Sequence, residues 1–129
     1  MFKMPVNIER NCRKRRTLYV IQSGEFVKVG IATNMKSRLF DLQLGNPLLL
    51  RVRMQRTIPA ALAIQVEQLV HAALSEHAIG REWFRVDAAV AVRAAQPILR
   101  QAERAMNQWF DPDLGIITGT VDADHVLNA

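Results

Sequence analysis

The chain of 129 residues contains a single cysteine, Cys12, which rules out an internal disulfide and leaves no cysteine metal cluster. No run approaches the roughly 20 apolar residues that a membrane span requires. The first 16 residues carry charge but no apolar core, so no secretory signal is expected there. These absences together lead to the expectation of a reducing, intracellular setting. No internal repeat and no low-complexity tract is present. One further absence concerns sign. Residues 109–129 hold Asp111, Asp113, Asp122 and Asp124 but no Lys or Arg.

All 17 Lys and Arg therefore fall in residues 1–108, against eight of the 12 acids, a local balance of +9 within a formal net charge of +5. A basic body of this kind favours a polyanionic partner, for which DNA or RNA is the usual choice. Half the residues are apolar and 22% are charged, as in a globular chain with one core rather than a disordered one.

Residues 1–16 read as a polar arm that ends in Arg13, Lys14, Arg15 and Arg16. Thr17–Gln22 is rich in strand formers, and Ser23-Gly24-Glu25 reads as the turn of a hairpin into Phe26–Ala32. Thr33 or Asn34 can cap a helix whose apolar stripe is Met35, Leu39 and Leu42. Gly45 suits the left-handed position after that helix, which Asn46-Pro47 ends. Leu48–Ile58 alternates, with Leu50, Val52 and Met54 on one face and Arg51, Arg53 and Gln55 on the other, predicting a half-buried strand with a basic outer face. Pro59 closes it, and the spacing predicts a helix over Ala60–Glu76. After Gly80, Glu82–Val86 forms a short strand. Asp87 caps a last helix that Pro97 should kink or split. The order β-β-α-β-α-β-α implies an α/β (α+β) domain with one small, mostly antiparallel sheet flanked by helices. The expected layout is an arm over 1–16, a compact domain over 17–86, a helical extension over 87–110 and an acidic tail over 111–129.

Thr17-Leu18-Tyr19, Lys28-Val29-Gly30, the run Gly30–Asn34 with Arg38, Leu42–Pro47, Glu67 with His71, and Glu82-Trp83-Phe84 occur in the order and spacing of the GIY-YIG nuclease superfamily. The chain resembles in particular a short phage and bacterial branch described as a DNA-binding domain, and the resemblance covers roughly residues 17–86. It implies the cytosol of a phage or bacterial host. It also implies a site in which Tyr19 accepts a proton from the attacking water or positions it, Arg38 grips phosphate, and Glu67 holds Mg²⁺ or Mn²⁺. Lys28 stands where that family has its second tyrosine and would supply positive charge, and the first motif has no glycine.

The residues themselves support chemistry of this kind. An unperturbed phenol ionises near 10 and needs a neighbouring cation to act as a base at neutral pH. A guanidinium can fork two phosphate oxygens, or Arg38 can pair with Asp41 three residues on. A lone carboxylate with several waters is a common way to hold Mg²⁺ beside phosphate. Glu67 can alternatively orient His71, which is either a proton shuttle near neutral pH or a structural group. Arg13, Lys14, Arg15 and Arg16, with Arg51, Arg53 and Arg56, suit phosphate tracking.

The sequence therefore leads to the expectation of a DNA-acting protein, with RNA left open, that hydrolyses phosphodiester bonds with Mg²⁺. The rival readings are a silent DNA-binding module using the same cleft and a basic protein docking an acidic partner. A single site cuts one strand at a time, so a duplex break would need a homodimer or a second binding event. The acidic tail could fold over the basic cleft as a competitor.

Overall fold

The computed structural model describes residues 2–5, 14–111, 116–117 and 126–127. Arg13, most of the basic arm and nearly all of the acidic tail lie outside the described residues. Nine residues, Arg15–Ser23, form β2 and turn back into β3, Phe26–Ala32. Gly24 makes the turn with φ +58°, the positive φ that a two-residue hairpin demands and that glycine adopts without penalty. With β4 (Arg51–Pro59) and β5 (Trp83–Arg85), these strands form one antiparallel sheet in the order β4-β2-β3-β5.

Helices cover both faces of this sheet. Leu18, Val20, Val27 and Val29 point to one side and meet α2 (Ala60–Ala73) and α3 (Ala88–Trp109) in the main core. Tyr19, Ile21 and Ala32 point to the other side, where Met35, Leu39 and Leu42 of α1 (Met35–Leu44) close a smaller cluster. The central strands are thus apolar at nearly every position, as strands buried on both faces are. The cap of α1 is as expected, with the Asn34 side chain accepting from the Ser37 amide at 3.0 Å. Gly45, however, sits at φ −96°, so the helix ends without a left-handed residue.

The edge strand β4 departs from simple alternation. Its register against β2 shifts, with Met54 opposite Val20 and Val52 opposite Ile21, leaving Arg53 as an extra, unpaired residue. A bulge of this kind moves the residues beyond it to the opposite face. Met54 accordingly packs on the main core and Leu50 on the smaller cluster, although alternation would put both on one side.

Three further differences concern the ends and the long helix. Helix α2 stops at Ala73, and its last expected turn is a 3₁₀ turn, Ser75–His77. Phe2 and Met4, expected in a polar arm, are buried in the core, and Met4–Pro5 (β1) pairs in parallel with Val126–Leu127. Helix α3 runs unbroken through Pro97. Ala91, Ala95, Leu99 and Ala102 are buried along one stripe, and Pro97 is exposed, so water can satisfy the carbonyl that the ring leaves without a donor. Packing overrides the local cost. Among the described residues no helix is long and apolar enough to cross a membrane.

Replacing Pro97 by Ala should restore the missing helical donor. The gain expected is roughly 1–2 kcal/mol, the helix penalty of proline less what its stiffness takes from the unfolded chain. Denaturant unfolding checks this, and a less stable variant would mean that α3 needs the proline.

Candidate functional site

Register brings the site together. Tyr19 on β2 lies directly opposite Gly30 on β3, on the face covered by α1. A Cβ at position 30 would lie 2.5 Å from the Tyr19 hydroxyl and 2.7 Å from its ring carbon Cζ, so the ring occupies the space that any side chain there would need. Tyr19 is 1% exposed. Burial pushes its phenol up to about 12, against the opposing pull of the Arg38 charge and reinforced by Glu82 and Glu67. The phenol is therefore neutral at ordinary pH and is not a base without a cation beside it.

Lys28, two residues before Gly30 on the same face, has its ammonium 2.6 Å from a Glu82 carboxylate oxygen and 5.4 Å from the centre of the Trp83 ring. Its side chain is 11% exposed. A buried ammonium needs such a partner.

Strand β5 pairs β3 only over Phe26–Lys28, leaving the backbone groups of Val29 and Ile31 without a strand partner. Side chains of α2 and the segment before β5 supply the rest. The Val29 amide donates to the Glu82 carbonyl at 3.1 Å, and the Val29 carbonyl lies 2.8 Å from His71 Nε2. The Ile31 amide favours the charged form of the Glu67 carboxylate. His71 must carry its proton on Nε2 to make this bond, which leaves only Nδ1 as an acceptor. Its ring also stands 5.3 Å from Phe84, tilted by 51°. His71 thus satisfies a carbonyl at the edge of the sheet, and it favours the charged form of Glu67.

Glu67 is held above the usual glutamate range, first by burial and then by the neighbouring Glu82 carboxylate, with His71, the Ile31 amide and Arg16 pulling the other way. Arg38 is exposed on α1. Among the described residues no ion pair joins it to Asp41, and its charge acts on Tyr19. Arg16, assigned by sequence to the arm, lies within β2, close enough to favour the Glu67 charge, and its Nε is buried without a hydrogen-bond partner.

Tyr19, Lys28, Arg38, Glu67 and His71 are thus brought into one electrostatic neighbourhood around Gly30. Two further residues join it. Glu82 couples to Tyr19, Lys28 and Glu67, and Trp83 supports Lys28; the run Glu82-Trp83-Phe84 after Gly80 is the sequence signal for both. Arg51, Arg53 and Arg56 are exposed along β4 and stand apart from this group. Lys14 and Arg15 are exposed at the start of β2.

Among the described residues no group of three or more His, Cys, Asp or Glu side chains could cage a metal. The donors suit a hydrated hard cation held by one or two carboxylates. The Glu67 carboxylate has lone pairs to offer, and a dication beside it would relieve the repulsion from Glu82.

The model of the T5orf172 domain matches residues 16–110. No curated protein and no solved structure matches the chain. This corrects the resemblance to the GIY-YIG nucleases, because the T5orf172 domain is a distinct family and no GIY-YIG model matches. The residues departing from that pattern, the missing first glycine and Lys28 in place of a tyrosine, agree with the correction. Roles for Tyr19, Lys28, Arg38 and Glu67 rest from here on their geometry.

Gly30→Ala should cost roughly 1–3 kcal/mol in denaturant unfolding, because the new methyl overpacks the Tyr19 ring. Strand propensity alone would give the opposite sign, since glycine weakens a strand. A neutral or stabilising result would mean that the ring is free to leave position 30.

Proposed function

The chain belongs to the T5orf172 domain family, a family of nuclease-like, DNA-binding domains, and from that premise we propose that it is a metal-dependent endonuclease acting on DNA phosphodiesters. One observation carries the reading. A phenol, two carboxylates and the cations Lys28, Arg38 and Arg16 converge around Gly30, and their charges are coupled.

In this reading Arg38, exposed at the rim, forks two oxygens of the scissile phosphate and neutralises developing charge. Glu67, backed by the Ile31 amide, holds a hydrated Mg²⁺. When bound, that ion supplies Lewis acidity to the leaving oxygen and lowers the pKa of groups beside it. Tyr19 positions the attacking water, its neutral hydroxyl able to donate and accept. Lys28 and Glu82 pair beside the Trp83 ring. The absence of a side chain at Gly30 leaves Tyr19 room beside the backbone of β3.

The second reading is a DNA-binding module that uses the same cleft as a grip. The 2.6 Å pairing of Lys28 with Glu82 favours it, because that carboxylate is already neutralised. Both readings require DNA affinity that falls steeply with salt. A basic body that docks an acidic protein instead would bind no nucleic acid even at low salt.

Glu67→Gln separates the first two readings. The amide keeps an oxygen for the Ile31 N–H but removes the charge. Since the folded-state pKa of Glu67 is raised, ionising it costs stability as pH rises through the range between the unfolded and folded values. The variant should therefore be no less stable than the wild type at neutral pH. Nicking of supercoiled plasmid with Mg²⁺ or Mn²⁺ should fall at least about a hundredfold, roughly 2.7 kcal/mol of barrier, with plasmid binding nearly intact. Undiminished nicking by the variant would remove Glu67 as the metal ligand. Binding without any nicking by the wild type would make the protein a module rather than an enzyme.

A further inference from the structure

A second feature lies away from the Tyr19 group. Gln22, Gly24, Leu49, Arg51 and Arg53 line a pocket of about 220 Å³ beside the hairpin turn. Gln22 alternates to the opposite face of β2 from Tyr19 and Ile21, so the pocket is not an extension of that cleft. Arg53 is the bulged residue of β4. Arg51 and Arg53, two residues apart on β4, line the same pocket at the free edge of the sheet. Among the described residues no carboxylate pairs with either guanidinium.

The pocket has an apolar lip. Leu49 is 73% exposed, and Leu44 and Leu48 beside it are also exposed. A lone exposed leucine needs no explanation, but this one is held outward by design of the loop around it. The Gln43 amide donates to the Leu48 carbonyl and accepts from the Leu50 amide, both at 2.9 Å. Asn46 Oδ1 accepts from the Leu48 amide at 2.9 Å, while Leu50 is buried below. The backbone is thus pinned on both sides of Leu49, and its side chain cannot retract into the core without breaking those bonds. Leu48 in turn sits against the turn, with its Cδ1 3.1 Å from where a Gly24 Cβ would be.

Paired guanidinium groups beside a fixed apolar ridge match a ligand that carries anions and apolar faces together. A nucleic-acid duplex offers phosphates but hides its base faces in the stack. An unpaired strand offers both. Gln22 adds a hydrogen-bonding edge, since its amide nitrogen is committed to the Gly24 carbonyl at 3.1 Å and its oxygen is left to accept.

We propose that this pocket at the bulged edge of β4 binds single-stranded nucleic acid, with phosphates on Arg51 and Arg53 and a base against Leu49. The inference rests on the DNA-binding reading above and adds a preferred strand state to it. It gives the protein a second contact for nucleic acid, distinct from the Tyr19 group.

The test is fluorescence anisotropy of the full chain, without divalent metal, on one labelled oligonucleotide as a single strand and as a duplex. The wild type should bind both. Arg51→Ala/Arg53→Ala, both positions exposed, should weaken single-strand binding at least about tenfold, as lost charge-assisted bonds imply. It should also reduce the salt slope on the single strand by roughly 1.4, two contacts at about 0.7 each. Leu49→Ser should weaken the single strand alone. Equal losses on both forms, or none on the single strand, would overturn this inference and leave the DNA-binding reading standing. A wild type that binds the duplex but not the single strand would do the same. Failure to bind either form would remove both.

Discussion

The Tyr19 ring fills the volume that a side chain at position 30 would require, with the hydroxyl 2.5 Å from the site of a Cβ. Much else depends on that contact. It fixes the phenol beneath the face closed by α1, deep enough for desolvation to dominate its ionisation. It holds Tyr19 next to the stretch of β3 where His71 satisfies the Val29 carbonyl and the Ile31 amide favours the Glu67 charge. Helix α2 is thereby tied to the sheet edge by the same residues that give the cleft its charge, so structural and chemical roles share side chains. An unsatisfied Val29 carbonyl would cost about 1–3 kcal/mol, and His71 of α2 supplies its partner.

The two edges of the sheet are treated differently. At β3, short β5 and then side chains of α2 cover the edge. At β4 the edge stays open, and a bulge with exposed arginines discourages pairing with another strand. The same arginines are what a phosphate backbone needs. One set of charges can thus discourage strand pairing at this edge and attract phosphate.

Much of the fold could be read from the residues, because hairpin chemistry at Gly24, the Asn34 cap and the stripes of α1 and α2 are local signals. The bulge at Arg53 could not, since Val52 and Met54 are both apolar and a one-residue slip leaves the alternation looking intact. Pro97 misled for a different reason. Its cost is local, while the buried alanine stripe that outweighs it is set by tertiary packing. In the candidate site, Tyr19, Lys28, Arg38 and Glu67 stand out by motif order, whereas Arg16 and Glu82 come beside them through strand register and the turn before β5. Motif order also suggested a family that the comparison does not support. Short, degenerate pieces on a hairpin can arise in related architectures without the same lineage of residues.

The central claim is that DNA meets this protein at the group gathered around Gly30. Amide chemical-shift mapping of the full chain, titrated at low salt with a short duplex and no divalent metal, tests it most directly. The account predicts the largest changes at Gly30, Ile31, Arg38 and Glu82, fading as salt is raised. Shifts confined to another basic surface, such as Arg93, Arg100 and Arg104 on the solvent side of α3, with the Gly30 group unmoved, would contradict it.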